Sequence, residues 1–170
     1  MRDAFYQLFL DGMRDMYSGE KQIIDALPKM VHAASNKDLK ETFETHLAET
    51  RNQKKRLDQA FKILKEDPDG ETCEAMEGLL TEADEIIHRK DPSEVEDAAL
   101  IMAAQKVEHY EIATYGTLRT FAHHLGYEEI EKLLQKSLDE EGSANKKLTT
   151  LAEGSFIWSG INAKATRGNR

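Results

Sequence analysis

At 170 residues and 19.3 kDa, with 39% hydrophobic and 32% charged residues, the chain is long enough for one domain with a sizeable core, and its composition is that of amphipathic helices rather than of a disordered chain. No window approaches the roughly 20 apolar residues that a membrane-spanning helix needs. A formal charge of -9 argues against nucleic acid and anionic membrane as partners, because both demand a basic surface, and leaves cations as the more natural small ligands.

The chain starts MRDAFYQLFLDGMRDMYSGE, where Asp3, Asp11, Arg14 and Asp15 interrupt the apolar run that a secretory leader would need, so a cytoplasmic protein is expected. Sustained period-two alternation is absent, and three prolines and ten glycines leave few breaks, so the chain reads as nearly all helix. The first helix is expected over 3–34, with Pro28 removing one hydrogen bond and kinking or splitting it near Asp25. Ser35-Asn36 ends it and offers a cap for the second, over 37–65. Asp67-Pro68-Asp69-Gly70 is a turn, after which a short helix is expected over 72–89. Asp91-Pro92-Ser93-Glu94 then combines a cap with a proline at the first helical position and starts a helix over 92–125. Gly126, in a left-handed conformation, separates it from the last helix, over 127–153. The bundle is thus assigned to residues 1–153. The tail, 154–170, is expected either to dock through Phe156, Ile157 and Trp158 or to remain mobile. The short helix lies inside a connection of about 25 residues between two long ones, enough to run the length of a bundle and give a crossover topology. Cys73, the one cysteine, can form no internal disulfide and reads as a small apolar residue.

Steps of three and four along each long helix give the face that turns inward. The first helix yields Phe9, Met13, Met16, Glu20, Ile23, Leu27, Met30 and Ala34. The second yields Leu39, Phe43, His46, then Glu49 or Thr50, Gln53, Leu57, Ala60 and Leu64. The stripe Ile101, Ala104, Glu108, Glu111, Tyr115, Leu118, Ala122 and Leu125 follows, and the last helix gives Leu134, Leu138, Glu141, Asn145, Leu148 and Ala152. Every polar interruption falls near the middle of its stripe, and in an antiparallel bundle midpoints meet. Glu20, Glu49, Glu108, Glu111, Glu141 and His46 are therefore expected to converge.

Each buried, unpaired carboxylate costs several kcal/mol, and five together exceed the roughly 5–15 kcal/mol stability of a typical domain. None of the stripes holds a basic residue other than His46, so protonation or bound cations must compensate. Two divalent ions against five carboxylates leave about one negative charge, and two trivalent ions with a bridging oxide leave the same total. Oxygen-rich donors with one imidazole and no thiolate favour iron first and manganese second over structural zinc. Such a pair of ions, with an open position on each, can pass two electrons to dioxygen or peroxide. Tyr17, Gln53, Tyr115 and Asn145 stand near the inserts, where they can hydrogen-bond ligand carboxylates or simply pack. His46 is read either as a ligand or as a hydrogen-bonded core histidine, and Glu140 is the alternative to Glu141.

The stretches DMYSGEKQIIDALPKM, THLAETRNQKKRL, CEAMEGLL, AAQKVEHYEIATYGTL and LLQKSLDEEGSANKKLTTLA, which cover most of residues 15–152, resemble the ferritin-like superfamily. They are similar in particular to the YciF-type family of bacterial ferritin-like stress proteins. The resemblance implies an all-α, antiparallel four-helix bundle with a long crossover containing an additional short helix, a two-metal site, a homodimer and a cytoplasmic stress role. It matches Glu20, Glu49, Glu108 and Glu141 to the carboxylates contributed by the four helices. The superfamily's Glu-x-x-His pairs are not met: Glu49 is followed by Thr50, Arg51 and Asn52, and Glu141 by Gly142, Ser143 and Ala144. Glu111 is then expected to take the coordination that a histidine fills elsewhere. Three functions remain in competition: turnover of peroxide or dioxygen at iron or in a manganese catalase-like manner, a metal-stabilised interaction protein without turnover, and an iron-storing cage.

Overall fold

Every long apolar stripe becomes one helix of a computed structural model that describes residues 3–89, 93–155 and 158–167. Helix α1 spans Ala4–Ala33 and starts at Asp3, whose side chain accepts the Phe5 amide hydrogen. Helix α2 spans Lys37–Leu64 and starts at Asn36, which accepts from the amides of Asp38 and Leu39, as its place in the sequence leads one to expect. Helices α3 (Glu74–Arg89), α4 (Ser93–His124) and α5 (Glu128–Glu153) follow. Gly126 takes φ +77° between α4 and α5, a conformation that side chains with a Cβ avoid. The expected cap at Asp91 and Pro92 lies outside the described residues.

Helix α1 continues through Pro28 instead of splitting at Asp25. The proline is exposed, while Ile23, Leu27 and Met30 around it stay buried in one stripe, and their packing outweighs the single missing hydrogen bond.

Contacts between helices fix the topology. Tyr17 meets Lys54 and Tyr6 meets Glu66, so α1 and α2 are antiparallel. Phe5 packs at a tilt against Phe121 and Asp15 meets Tyr110, so α1 and α4 are antiparallel too. Arg56 with Ser137 and Gln53 with Glu141 give the same relation for α2 and α5. Helices α2 and α4 therefore point the same way, and the chain between them must return along the bundle. Helix α3 lies on that return path: Cys73 lies at Ser18 and Asp84 at Lys29, so α3 runs along α1 and covers the seam with α4. This is the all-α bundle with a crossover helix that the resemblance implied. Asp97 of α4 ties the far end, accepting from the Ser35 and Asn36 amides at 2.7 and 2.8 Å.

The tail docks. Strand β1 (Gly154–Ser155) pairs antiparallel with β2 (Trp158–Ser159), and the short helix α6 (Ile161–Arg167) packs on α4 and α5 through buried Ile161. A Cβ on Gly160 would sit 2.3 Å from the Ala152 carbonyl oxygen, so only glycine lets the tail fold back this closely. Trp158, expected to help dock the tail, is instead 40% exposed, and Phe156 and Ile157 lie outside the described residues. No helix among the described residues is long and apolar enough to cross a membrane.

The core is divided. One apolar half gathers Phe9, Met13, Leu57, Phe61, Leu118 and Leu134, and the other gathers Ile23, Leu27, Phe43, Leu100, Ala104 and Leu148. Between the halves lies a polar layer supplied by all four long helices.

Candidate metal centre

Glu20 of α1, His46, Thr50 and Gln53 of α2, Glu108 and Glu111 of α4, and Glu141 of α5 form this layer, and each is at most 4% exposed. One ligand atom from each of His46, Glu108, Glu111 and Glu141 lies within 4.8 Å of the others, a spread that a single cation can bridge. His46 Nε2 stands 3.4 Å from Glu108 Oε1 and 3.9 Å from Glu141 Oε2, and neither of its ring nitrogens has a hydrogen-bond partner. Both oxygens of Glu111 are likewise unpartnered, as is one oxygen each of Glu20, Glu108 and Glu141. Among the described residues, Arg119 Nε is the only buried side-chain polar atom without a partner outside this layer. Buried polar atoms in folded proteins are almost always satisfied, so a concentration of orphans at one point marks a place built for something else.

Electrostatics points the same way. Burial, then the neighbouring Glu141, pushes the Glu108 carboxyl well above the usual range, and burial followed by Glu141 and Glu20 does so for Glu111. Burial also raises Glu20, against the opposing hydrogen bond from Tyr115. Burial thus favours the protonated carboxyls in the absence of cations; a bound cation reverses that preference.

The surrounding side chains hold the carboxylates in place. Tyr115, fully buried, donates its hydroxyl hydrogen to Glu20 Oε1, and Gln53 donates to Glu141 Oε1 and, at 3.2 Å, to Glu140 Oε2. Glu141 rather than Glu140 joins the centre. Glu140 faces Arg56, whose guanidinium reaches its two oxygens at 2.5 and 2.7 Å and donates to Ser137 Oγ at 2.7 Å. Arg56 is buried beside the layer and corrects the reading that no basic residue but His46 lies inside: it sits one position before Leu57, and its long side chain reaches inward from the edge of the stripe.

Other expectations need adjustment. Glu49 is not among the four residues that converge; its side chain is 36% exposed, and its Oε2 stands 3.8 Å from His46 Nδ1. On a helix, i+4 returns to within about 40° of a residue and i+3 to about 60°, so Thr50 takes the inward place and its hydroxyl donates to the His46 carbonyl. Tyr17 meets Lys54 Nζ at 2.8 Å and not a carboxylate of the centre, because it lies one position along from the row of Met13, Met16 and Glu20. Asn145 is half-buried and accepts from Gln105 at 3.1 Å, and the inward row of α5 runs through Ser137 and Ala144 instead of Leu138 and Asn145. Cys73, enclosed between Asp15 and Tyr110, has its thiol pushed up by burial, in keeping with a passive residue.

Comparison with known proteins adds a lineage to this geometry. The model of the family described as "Domain of unknown function (DUF892)" matches residues 4–166. Protein YciF of Escherichia coli K12 is 48% identical over 153 residues, which cover 85% of this chain and 88% of that protein. The crystal structure of the E. coli stress protein YciF superposes with a TM-score of 0.85 at 47% identity, over 89% of this chain and 95% of that one. YcfI of Rhodopseudomonas palustris gives the same TM-score and identity over 88% and 96%. A protein from Xanthomonas campestris, 18% identical with a TM-score of 0.73 over 98% and 99%, shares the fold.

Proposed function

The chain belongs to the DUF892 family, and from that premise we propose that it is a dinuclear metal-carboxylate protein of bacterial stress response that oxidises iron(II) with dioxygen or peroxide. The observation that carries the reading is the set of orphaned ligand atoms on His46, Glu108, Glu111 and Glu141 in a layer closed to water. These four residues would hold a first ion; Glu20, through its unpartnered Oε2, and Glu49, by turning inward from the edge, would complete the donors for a second. Iron suits the donors best, with manganese second and a catalase-like chemistry as its corresponding activity. When bound, a pair of iron(II) ions supplies one electron each, so that dioxygen with two protons leaves as hydrogen peroxide, or peroxide with two protons leaves as two waters. Tyr115 holds Glu20 and Gln53 holds Glu141 in fixed orientations, which lowers the reorganisation needed on binding. The apolar halves above and below exclude water and strengthen each charge interaction. The stress role follows the E. coli relative, which is a stress protein; a cytoplasmic homodimer is proposed with it.

Anaerobic addition of iron(II) to purified protein, then exposure to oxidant, tests the reading: about two ions per chain and oxidation faster than that of free iron are expected, both lost in Glu108→Ala. Unchanged stoichiometry in that variant would sink the assignment.

A second reading turns on how many residues converge. Among the described residues four converge within 4.8 Å, as few as one stabilising ion needs. A metal-stabilised interaction protein would bind one ion, gain thermal stability and show no oxidation kinetics.

A further inference from the structure

A narrow cavity opens into the polar layer from the apolar half of the core that contains Leu27 and Phe43. Its base is formed by His46 and Glu108, two residues of the candidate centre; every other residue lining it is apolar. Leu27, Phe43 and Val107 form buried walls, while Ala26 of α1 and Leu80 of the crossover helix α3 are half-buried and mark the outer end. The space open to the centre of a water molecule is about 10 Å³, room for no more than one small molecule, and water needs several polar partners that the apolar walls do not offer.

Such a passage sorts by polarity. A peroxide molecule carries two hydroxyl donors and would lose its hydrogen bonds along walls without acceptors, whereas a small apolar diatomic loses nothing. We propose that this cavity is the entry and waiting site for dioxygen, making dioxygen rather than peroxide the oxidant delivered to His46 and Glu108. The proposal deepens the metal reading above and rests on it for the fate of the gas; occupancy of the cavity does not. The crossover helix gains a role from it, since Leu80 lines the outer end together with Ala26 of α1.

Dioxygen itself is the probe. In metal-free, full-length protein with labelled methyl groups under dioxygen pressure, paramagnetic relaxation should be several times greater at Leu27 and Val107 than at Leu57 and Leu134, which are as deeply buried in the other half of the core. Filling the outer end with Ala26→Phe or, from a different helix, Leu80→Trp should bring the first pair down to the level of the second. In iron(II)-loaded protein the same variants should slow oxidation by dioxygen about tenfold and oxidation by peroxide less than twofold. Equal relaxation in the two halves, or equal slowing with both oxidants, overturns the proposal. Cavity occupancy in a protein that takes up no iron would instead overturn the metal reading, and the delivery role with it. A variant whose melting temperature falls is replaced by the other, because the two rims lie on separate helices.

Discussion

Tyr115 on α4 and Glu20 on α1, 95 residues apart in sequence, meet inside the bundle with the tyrosine hydroxyl donating to Glu20 Oε1. Both side chains are fully enclosed, and the bond leaves Glu20 Oε2 as the oxygen without a partner. The pair joins antiparallel helices at the level of the polar layer, so it ties the fold to the centre.

Tyr115→Phe keeps the ring and removes the donor, which orphans a second oxygen of Glu20. Metal-free protein should lose about 1–3 kcal/mol, read as a lower urea midpoint, and metal affinity should fall about 10- to 100-fold. An unchanged midpoint together with unchanged affinity would detach Tyr115 from the centre.

Glu111 carries two orphan oxygens at 0% exposure, so in the absence of metal it opposes folding. Glu111→Leu should therefore stabilise the metal-free protein by roughly 1–3 kcal/mol while erasing the rise in melting temperature that metal produces in the parent chain. A residue retained for packing would give the opposite sign on the first measurement, and a residue irrelevant to metal would leave the second intact.

The raised carboxyls set a pH dependence. Glu20, Glu108 and Glu111 keep protons in the folded state that the unfolded chain releases near about pH 4.3. Their contribution is fully present below that pH and is lost as pH rises through the folded values, because over that window the native state binds more protons than the unfolded one. Asp97, raised by burial, acts in the same direction. Exposed Asp84, lowered by its hydrogen bond with Lys29, acts in the other, but solvent screens it. Thermal melts of metal-free protein should show stability falling as pH rises above the ordinary carboxylate range, and bound metal should flatten or reverse the slope. Rising stability over that range without metal would contradict the assignment of these protons.

The turn between α1 and α2 depends on a residue from elsewhere in the chain. Asp97→Ala removes the acceptor for two backbone amides and should cost about 2 kcal/mol, leaving metal stoichiometry unchanged, as chemical denaturation and metal analysis will show.

Much of this was legible because helical periodicity and burial agree. The steps through Glu20, Glu108, Glu111 and Glu141 each pass from one apolar run into another, and a row with the wrong polarity at its midpoint is visible without coordinates. Steps of three and four fail where both lead to an acceptable residue. Between Glu49 and Thr50 the sequence left both open, and packing chose the small hydroxyl. On α5 the sequence favoured Asn145, whereas the helix turns Ala144 inward and leaves Asn145 at the rim, hydrogen-bonded to Gln105 of α4. Arg56 was hidden for a different reason: its side chain is long, so its Cβ lies at the edge of the stripe while its guanidinium is buried against Glu140. A carboxylate and a serine on the facing helix, Glu140 and Ser137, were the signal that could have revealed it. The tail's docking depends on Gly160 and on backbone contact with Ala152, which no side-chain pattern encodes.

Whether the polar layer is a metal site can be read from anomalous scattering by crystals exposed to iron(II) under anaerobic conditions. Strong peaks are expected between Glu108, Glu111, Glu141 and His46, with Glu20 on a second ion, and no such peaks in Glu108→Ala crystals. An empty layer, with iron confined to surface carboxylates such as Asp11 and Asp69, would contradict it.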